Sequence, residues 1–354
     1  MNLIEALRAP LWPLEIFSAR KNFVGNPILS SERLNRRGLH VFRARLAADL
    51  AARRRARLAR LVSAEDRAAF ERDGFVAKPG FLTEADFAAL AREVMALEAK
   101  ATEFREGDAV TRQIPVTPAV LARAPALRRF VESPEYQGLV RYVGSFDKAP
   151  RIFIQTIFSR TASAETDPQT ALHVDTFHPT VKAWFFLEDV GEEDGPFSYV
   201  PGSHRLTPRR LAWQKRRSVL ACRPGAGSRG GAFRFTPADL RRLRLPPPRR
   251  FAVSRNTLVV GDTCGIHART PTVRANRRVE IWATSRPNPF WPFAGHPWWT
   301  IPGIWARESA AYLWLKTAVQ RSGLVRFKTL VVGEVTPLEE PRIAGAPATG
   351  APRG

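Results

Sequence analysis

Cysteine is nearly absent: Cys222 and Cys264 are the two in 354 residues. Two thiols cannot build a disulfide framework or paired zinc knuckles, so a reducing compartment is expected. Long apolar runs are missing too. No stretch reaches the roughly 18 consecutive apolar residues that span a bilayer, and Met1 to Arg20 carries Glu5, Arg8 and Glu15 within its apolar part. We therefore expect neither a signal peptide nor a membrane span, and a cytoplasmic protein. Lysine is sparse, with eight among 55 basic residues against 33 acidic ones, for a net charge of +22. Such an excess favours phosphate, nucleic acid or anionic lipid if it is gathered on one face. An Arg-heavy, Ala- and Pro-rich composition also follows from a GC-rich genome, so charge alone assigns no partner. No internal repeat is visible. What is present, 44% hydrophobic and 25% charged residues, excludes a mainly unfolded chain. At roughly 150 residues per domain the length suits about two domains or one large one.

From Leu34 to Leu61 the chain is dominated by Arg, Ala and Leu, with Leu46, Leu50 and Leu58 at helical spacing. This predicts a basic amphipathic helix, which either adheres peripherally to an anionic inner-membrane surface or packs on the main domain; packing is the preferred expectation. Ser63 and Asp66 mark a helix start. Asp73-Gly74 turns into a short apolar strand, and a second helix runs from Leu82 through Met95 to about Ala101. From Arg151 the pattern changes to short β-rich runs: Ile152 to Phe158, Val181 to Leu187, Phe197 to Val200, Thr257 to Val260 and Val279 to Thr284. That is the rhythm of a sandwich or barrel. Residues 222–250 form a Gly-, Pro- and Arg-rich insertion, either a lid-like loop or a solvated one. The expected division is a basic helical extension (1–62), a main domain (63–335) and a disordered tail (336–354).

The chemistry rests on four features in fixed order: His173-Val174-Asp175, Gly195-Pro196, Pro201-Gly202-Ser203-His204, and His267 closing Gly261-Asp262-Thr263-Cys264-Gly265-Ile266-His267. Side chains alternate along an extended segment, so His-x-Asp presents both groups on one side. A His from another strand would complete a 2-His-1-carboxylate set that leaves one face of an octahedral metal open. These residues, with Leu172, Ala183-Trp184 and Glu193-Asp194, make the region from Phe70 to Arg286 resemble the phytanoyl-CoA dioxygenase-like branch of the Fe(II)/2-oxoglutarate-dependent oxygenases.

The resemblance implies an α+β fold with a double-stranded β-helix (jelly-roll) core and flanking helices. It implies Fe(II) held by His173, Asp175 and His267, with 2-oxoglutarate and O2 as cosubstrates. An Arg after the distal His should grip the far carboxylate of 2-oxoglutarate through its planar fork. The family spacing of eleven selects Arg278, whereas alternation would put Arg277 on the face of Val279 and Ile281, expected to look into the barrel. Trp184, Gln155 and Arg112 sit where the family places other cosubstrate contacts. Halogenating relatives carry Ala or Gly in place of Asp175, so hydroxylation of an unactivated C–H bond is implied, with release of succinate and CO2. His178 is expected near the metal without binding it, His204 as structural, His40 and His296 as unconnected, and Cys264 as a buried hydrophobe. Pro-stiffened aromatics from Arg286 to Phe293 and at Pro297-Trp298-Trp299 are either a cavity wall or a satellite core. Together with the basic helix they suggest a small or lipid-like substrate, such as an acyl conjugate, and no specific nucleic-acid partner. Two rivals remain open: a non-catalytic basic module that binds membrane or nucleic acid on a jelly-roll scaffold, and a cupin-like isomerase using the same three ligands.

Overall fold

A computed structural model describes residues 9–159, 168–291, 301, 304–322 and 328–343. Its strands are β1 (Phe75–Lys78), β2 (Ala99–Glu106), β3 (Ala109–Pro115), β4 (Arg151–Ser159), β5 (Val181–Phe186), β6 (Phe197–Tyr199), β7 (Arg249–Arg250), β8 (Thr257–Asp262), β9 (His267–Arg269), β10 (Asn276–Ser285) and β11 (Leu330–Val335). Eight form an antiparallel sheet in the order β1-β8-β5-β10-β4-β3-β2-β11, and β7-β6-β9 form a smaller one. Single bridges from His267 to His173 and from His173 to Arg234 widen the small sheet. The two sheets make the jelly-roll core of an α+β fold.

Alternation separates the two faces of the large sheet. Val279, Ile281 and Ala283 of β10 join Ile154, Phe185 and Val260 in a dry core with the helices Glu84–Met95, Pro125–Glu132 and Pro134–Gly144. Phe185 meets Phe81, Phe87 and Phe130 edge-on or tilted there. Proline opens the latter two helices at the first turn, where its missing N–H costs nothing. The helix from Glu84 ends at Met95 rather than near Ala101, because Ala99 already begins a β-hairpin. Its turn is Gly107-Asp108, with Gly107 at φ +57°, as a two-residue hairpin loop requires.

The helix Leu39–Leu58 buries His40, Arg43, Ala44, Ala47, Ala51, Arg54 and Leu58, while Leu46 and Leu50 are half-buried. The face that packs is thus made of small residues and arginines instead of the leucine stripe expected. Its arginines act as tethers. Arg43 donates to the carbonyls of Ile16, Ser18 and Arg20, Arg54 to those of Ser145, Pro289 and Trp291, and Arg55 pairs with Asp262 at 2.9 Å. Among the described residues no helix is long and apolar enough to cross a membrane.

The insertion packs as a wall. Phe233, Phe235, Leu240 and Leu243 share a core with Phe23, Val174, Val200, Trp213 and Ile266. Its backbone pairs with the His-x-Asp segment: Val174 N–H donates to Phe233 O (3.1 Å) and Phe235 N–H to Leu172 O (2.8 Å). Phe290 packs against Phe17 and Phe177. Residues 292–300, with His296 and Pro297-Trp298-Trp299, lie outside the described residues, as do 344–354 of the expected tail. Residues 336–343 are held to the sheet: Arg112 donates to the carbonyls of Thr336, Glu339 and Glu340, and Ile343 N–H donates to Glu103.

Candidate active site

His173 and His267 exchange both backbone hydrogen bonds, each 2.9 Å, as a directly opposed antiparallel pair. Their side chains must then face the same side, and the ring centroids lie 4.6 Å apart. Asp175, two residues on, shares that side, while Val174 between them enters the apolar core. Asp175 Oδ1 lies 3.8 Å from His173 Nε2 and 3.7 Å from His267 Nε2, and the candidate ligand atoms of all three fall within 4.8 Å of one another.

The far side of each ring is fixed. His173 Nδ1 contacts Ala171 O at 2.8 Å and His267 Nδ1 contacts Gly265 O at 2.9 Å. A carbonyl can only accept, so each Nδ1 carries the proton and each Nε2 presents its lone pair to the centre. His267 Nε2 is buried without a hydrogen-bond partner. Burial lowers the basicity of both rings, that of His267 to about 3, so they are neutral at pH 7. Burial would raise the Asp175 pKa, but Lys182, 2.8 Å from Oδ2, then His267 and Arg286, hold it well below the usual carboxylate range. Two neutral imidazoles and one carboxylate converging on one point suit a divalent metal with an open face.

The surrounding motifs hold this geometry. Asp262 Oδ1 accepts from the backbone N–H groups of Thr180 and Cys264, Oδ2 pairs with Arg55, and the Asp262 carbonyl accepts from Tyr199. A Cβ on Gly265 would fall 1.8 Å from Tyr199 Oη, so the turn leading to His267 needs glycine there. Ser203 Oγ accepts from Ile266 N–H at 2.7 Å, which gives the Pro201–His204 motif its role as a brace beside His267. His204 packs at a tilt against Phe70, and Cys264 is buried with its pKa raised by desolvation. His178 is fully buried, 3.0 Å from Pro179 O, and stands outside the triad.

A cavity of about 260 Å³ opens beside the triad, lined by His173, His267, Lys182, Trp184, Phe197, Gln155, Arg278 and Glu280, among others. Gln113, Gln155 and Glu280 are direct register partners across β3, β4 and β10. They form a chain in which Gln113 Nε2 donates to Gln155 (2.8 Å) and Gln155 Nε2 to Glu280 (2.6 Å). Arg278 Nε lies 3.2 Å from Glu280 Oε2, and Nη1 donates to Gly195 O at 3.0 Å. Trp184 stacks on Phe197 with centroids 4.1 Å apart.

Arg277 points away from this cavity, 3.8 Å from Glu188 and substantially exposed. The alternation argument for it fails because Val279 and Ile281 face the helices, and the barrel interior takes Arg278, Glu280 and Trp282. Arg112 is also misplaced by the sequence argument. On β3 the cavity side belongs to Thr111 and Gln113, so Arg112 lies on the opposite face, fully buried against Glu103 (2.7 Å). Sequence reasoning missed Lys182, Glu280 and Gln113. Their signal was a charged or amide side chain at alternate positions of strands that otherwise read as apolar.

Residues 70–223 match the phytanoyl-CoA dioxygenase family. That stretch is similar to phytanoyl-CoA dioxygenase. The matched segment includes His173 and Asp175, while His267 lies beyond it and reaches the same centre through the fold, and Arg278, also beyond it, lines the adjoining cavity. No protein of curated function matches the sequence significantly. Among solved structures, the epimerase SnoN in complex with Fe3+, alpha ketoglutarate and nogalamycin RO is similar at 22% identity over 65% of this chain and 83% of that one, with a TM-score of 0.41. HygX from Streptomyces hygroscopicus with nickel and 2-oxoglutarate bound is similar at 18% identity over 64% and 87%, also with a TM-score of 0.41. The carbocyclase SnoK from nogalamycin biosynthesis is similar at 19% identity over 63% and 83%, with a TM-score of 0.38.

Proposed function

We propose that this protein is an Fe(II)/2-oxoglutarate-dependent oxygenase that hydroxylates an unactivated C–H bond of a small or lipid-like molecule, with Fe(II) held by His173, Asp175 and His267. The observation that carries the proposal is the buried, unpartnered Nε2 of His267 converging with His173 Nε2 and Asp175 Oδ1 at the edge of the Arg278 cavity. When bound there, Fe(II) with 2-oxoglutarate and O2 supplies the oxidising chemistry, releasing succinate and CO2.

The chain supplies geometry and environment. Ala171 O and Gly265 O fix the imidazole tautomers, and Lys182 holds Asp175 Oδ2 so that Oδ1 faces the two rings. Arg278, anchored on Gly195 O, receives the distal carboxylate of 2-oxoglutarate, and Gln155 keeps Glu280 turned into its own hydrogen bond. Trp184 and Phe197 form an apolar wall that excludes water from one side. Asp175 fills the position that a halide would need, which favours hydroxylation over halogenation.

The test is anaerobic titration of the protein with Fe(II) and 2-oxoglutarate, following the visible charge-transfer band in wild type and in His173→Ala. A band in wild type that vanishes in the variant is expected. A folded wild-type protein without a band would overturn the assignment and leave the binding-module reading, while retained metal with no 2-oxoglutarate turnover would point to the isomerase-like one.

A further inference from the structure

A group of cations gathers on the outer side of Asp175, and two of them, Lys21 and Arg286, have no role in the chemistry assigned above. Lys182 Nζ is 2.8 Å and Arg286 Nη2 3.9 Å from Asp175 Oδ2, and Lys21 Nζ donates to the Asp175 backbone carbonyl at 2.7 Å. Among the described residues, Asp175 is the sole carboxylate in ion-pair range of any of the three. Three positive charges therefore meet one negative charge, and that carboxylate is also a candidate metal ligand. Loading the centre does not correct the imbalance, since the 2+ of Fe(II) and the 2− of 2-oxoglutarate cancel. The surplus remains beside Asp175, with Lys182 on the cavity wall and Arg286 half-exposed on the other side of the carboxylate's Oδ2.

Lys21 is held there by construction. Its carbonyl lies 2.1 Å from where a Cβ on Gly231 would stand, and Gly231 adopts φ +74°, so the insertion leaves out a side chain to admit the amino-terminal segment. Two residues on, Phe23 N–H donates to Arg229 O at 2.8 Å and the Phe23 ring stacks on Phe233.

We propose that Lys21, Lys182 and Arg286 form an oxyanion-binding subsite, and that the substrate carries a carboxylate or phosphate group close to the carbon that is oxidised. The inference rests on the hydroxylase reading above and narrows its substrate class. Two point-charge ammonium groups and one guanidinium fork are suited to a compact oxyanion. The subsite lies next to a metal-ligand candidate, so the anionic group belongs to the reacting end of the substrate.

The test uses protein loaded anaerobically with Fe(II) and saturating 2-oxoglutarate, titrated with methyl phosphate or with acetate. Paramagnetic broadening of the probe's phosphorus or methyl resonance reports occupancy near the metal without turnover. Saturable broadening by at least one probe is expected in wild type, and which of the two identifies the group. Affinity should fall between about tenfold and a hundredfold in Lys21→Met and in Arg286→Met, as loss of a charge-assisted hydrogen bond implies, with partial retention in Lys21→Arg. No saturable broadening, or equal affinity in wild type and both Met variants, would overturn the subsite. If the charge-transfer band forms normally in those cases, the hydroxylase reading survives; without the band in wild type, both fall together.

Discussion

The two faces of the large sheet are built from the same strands and do opposite work. On β10, Val279, Ile281 and Ala283 pack into a dry layer under the helices, whereas Arg278, Glu280 and Trp282 line a polar cavity. Burying each large apolar side chain of the outer face contributes about 1.5–3 kcal/mol. The inner face buries Arg278, Glu280 and Gln155, groups whose desolvation offsets most of what their pairing returns. On β10 stability therefore comes chiefly from the helix-covered residues, while Arg278 and Glu280 carry chemistry at little net gain; the inner face adds its own apolar cluster around Trp184, Phe186, Phe197 and Val259.

Arg112 and Arg278 sharpen this contrast, being buried arginines on opposite faces. Arg112→Ala would strand Glu103 and release three carbonyls of residues 336–340, for an expected loss of about 3–5 kcal/mol in urea denaturation. Cosubstrate affinity of the folded fraction should not change. Next in size is the effect of acid. His40, His178 and His204 lie outside the cavity lining, and burial lowers each to about 3 from an ordinary 6.5. Below about pH 6.5 the unfolded chain takes up protons that these folded rings refuse, so stability falls as pH falls until about pH 3. For three such rings the loss is about 3–4 kcal/mol between about pH 6 and pH 5, measurable as a falling unfolding midpoint. The smallest effect is expected at Arg277. Arg277→Gln should stay within about 0.5 kcal/mol in stability and about twofold in cosubstrate half-saturation; a tenfold rise in half-saturation would mean that Arg277, not Arg278, grips the carboxylate.

The histidines show how far sequence can be followed. Five of the six are described, and His40, His178, His204 and His267 are all made less basic by burial, so neither burial nor basicity marks a ligand. Convergence does, and it was legible because His-x-Asp and a distant His on a second strand are local, period-two features. The strand runs near 152–158, 181–187 and 257–260 were legible for the same reason. Three-dimensional relations were not. Which face of β10 meets the cavity depends on where the helices lie, and this reverses the alternation argument for Arg277. The insertion reads as a loop because its glycines and prolines are local signals, whereas its pairing with Leu172 and Val174 is set by contacts distant in sequence. The helix Leu39–Leu58 misleads through its leucines, since its arginines find carbonyl partners only once the rest of the chain surrounds them.

The central claim, that one face of the sheet holds the fold and the other the chemistry, is tested most directly by Phe185→Ala and Arg278→Gln. Each would be measured for urea midpoint and for 2-oxoglutarate affinity through the anaerobic charge-transfer band. The account predicts a loss of about 3–5 kcal/mol with unchanged cosubstrate affinity for Phe185→Ala. For Arg278→Gln it predicts cosubstrate affinity of the folded protein weakened by about tenfold to a hundredfold, alongside a stability cost from the buried Glu280 left without its cation. Equal cosubstrate binding in wild type and Arg278→Gln, or a weakened band in folded Phe185→Ala, would contradict it.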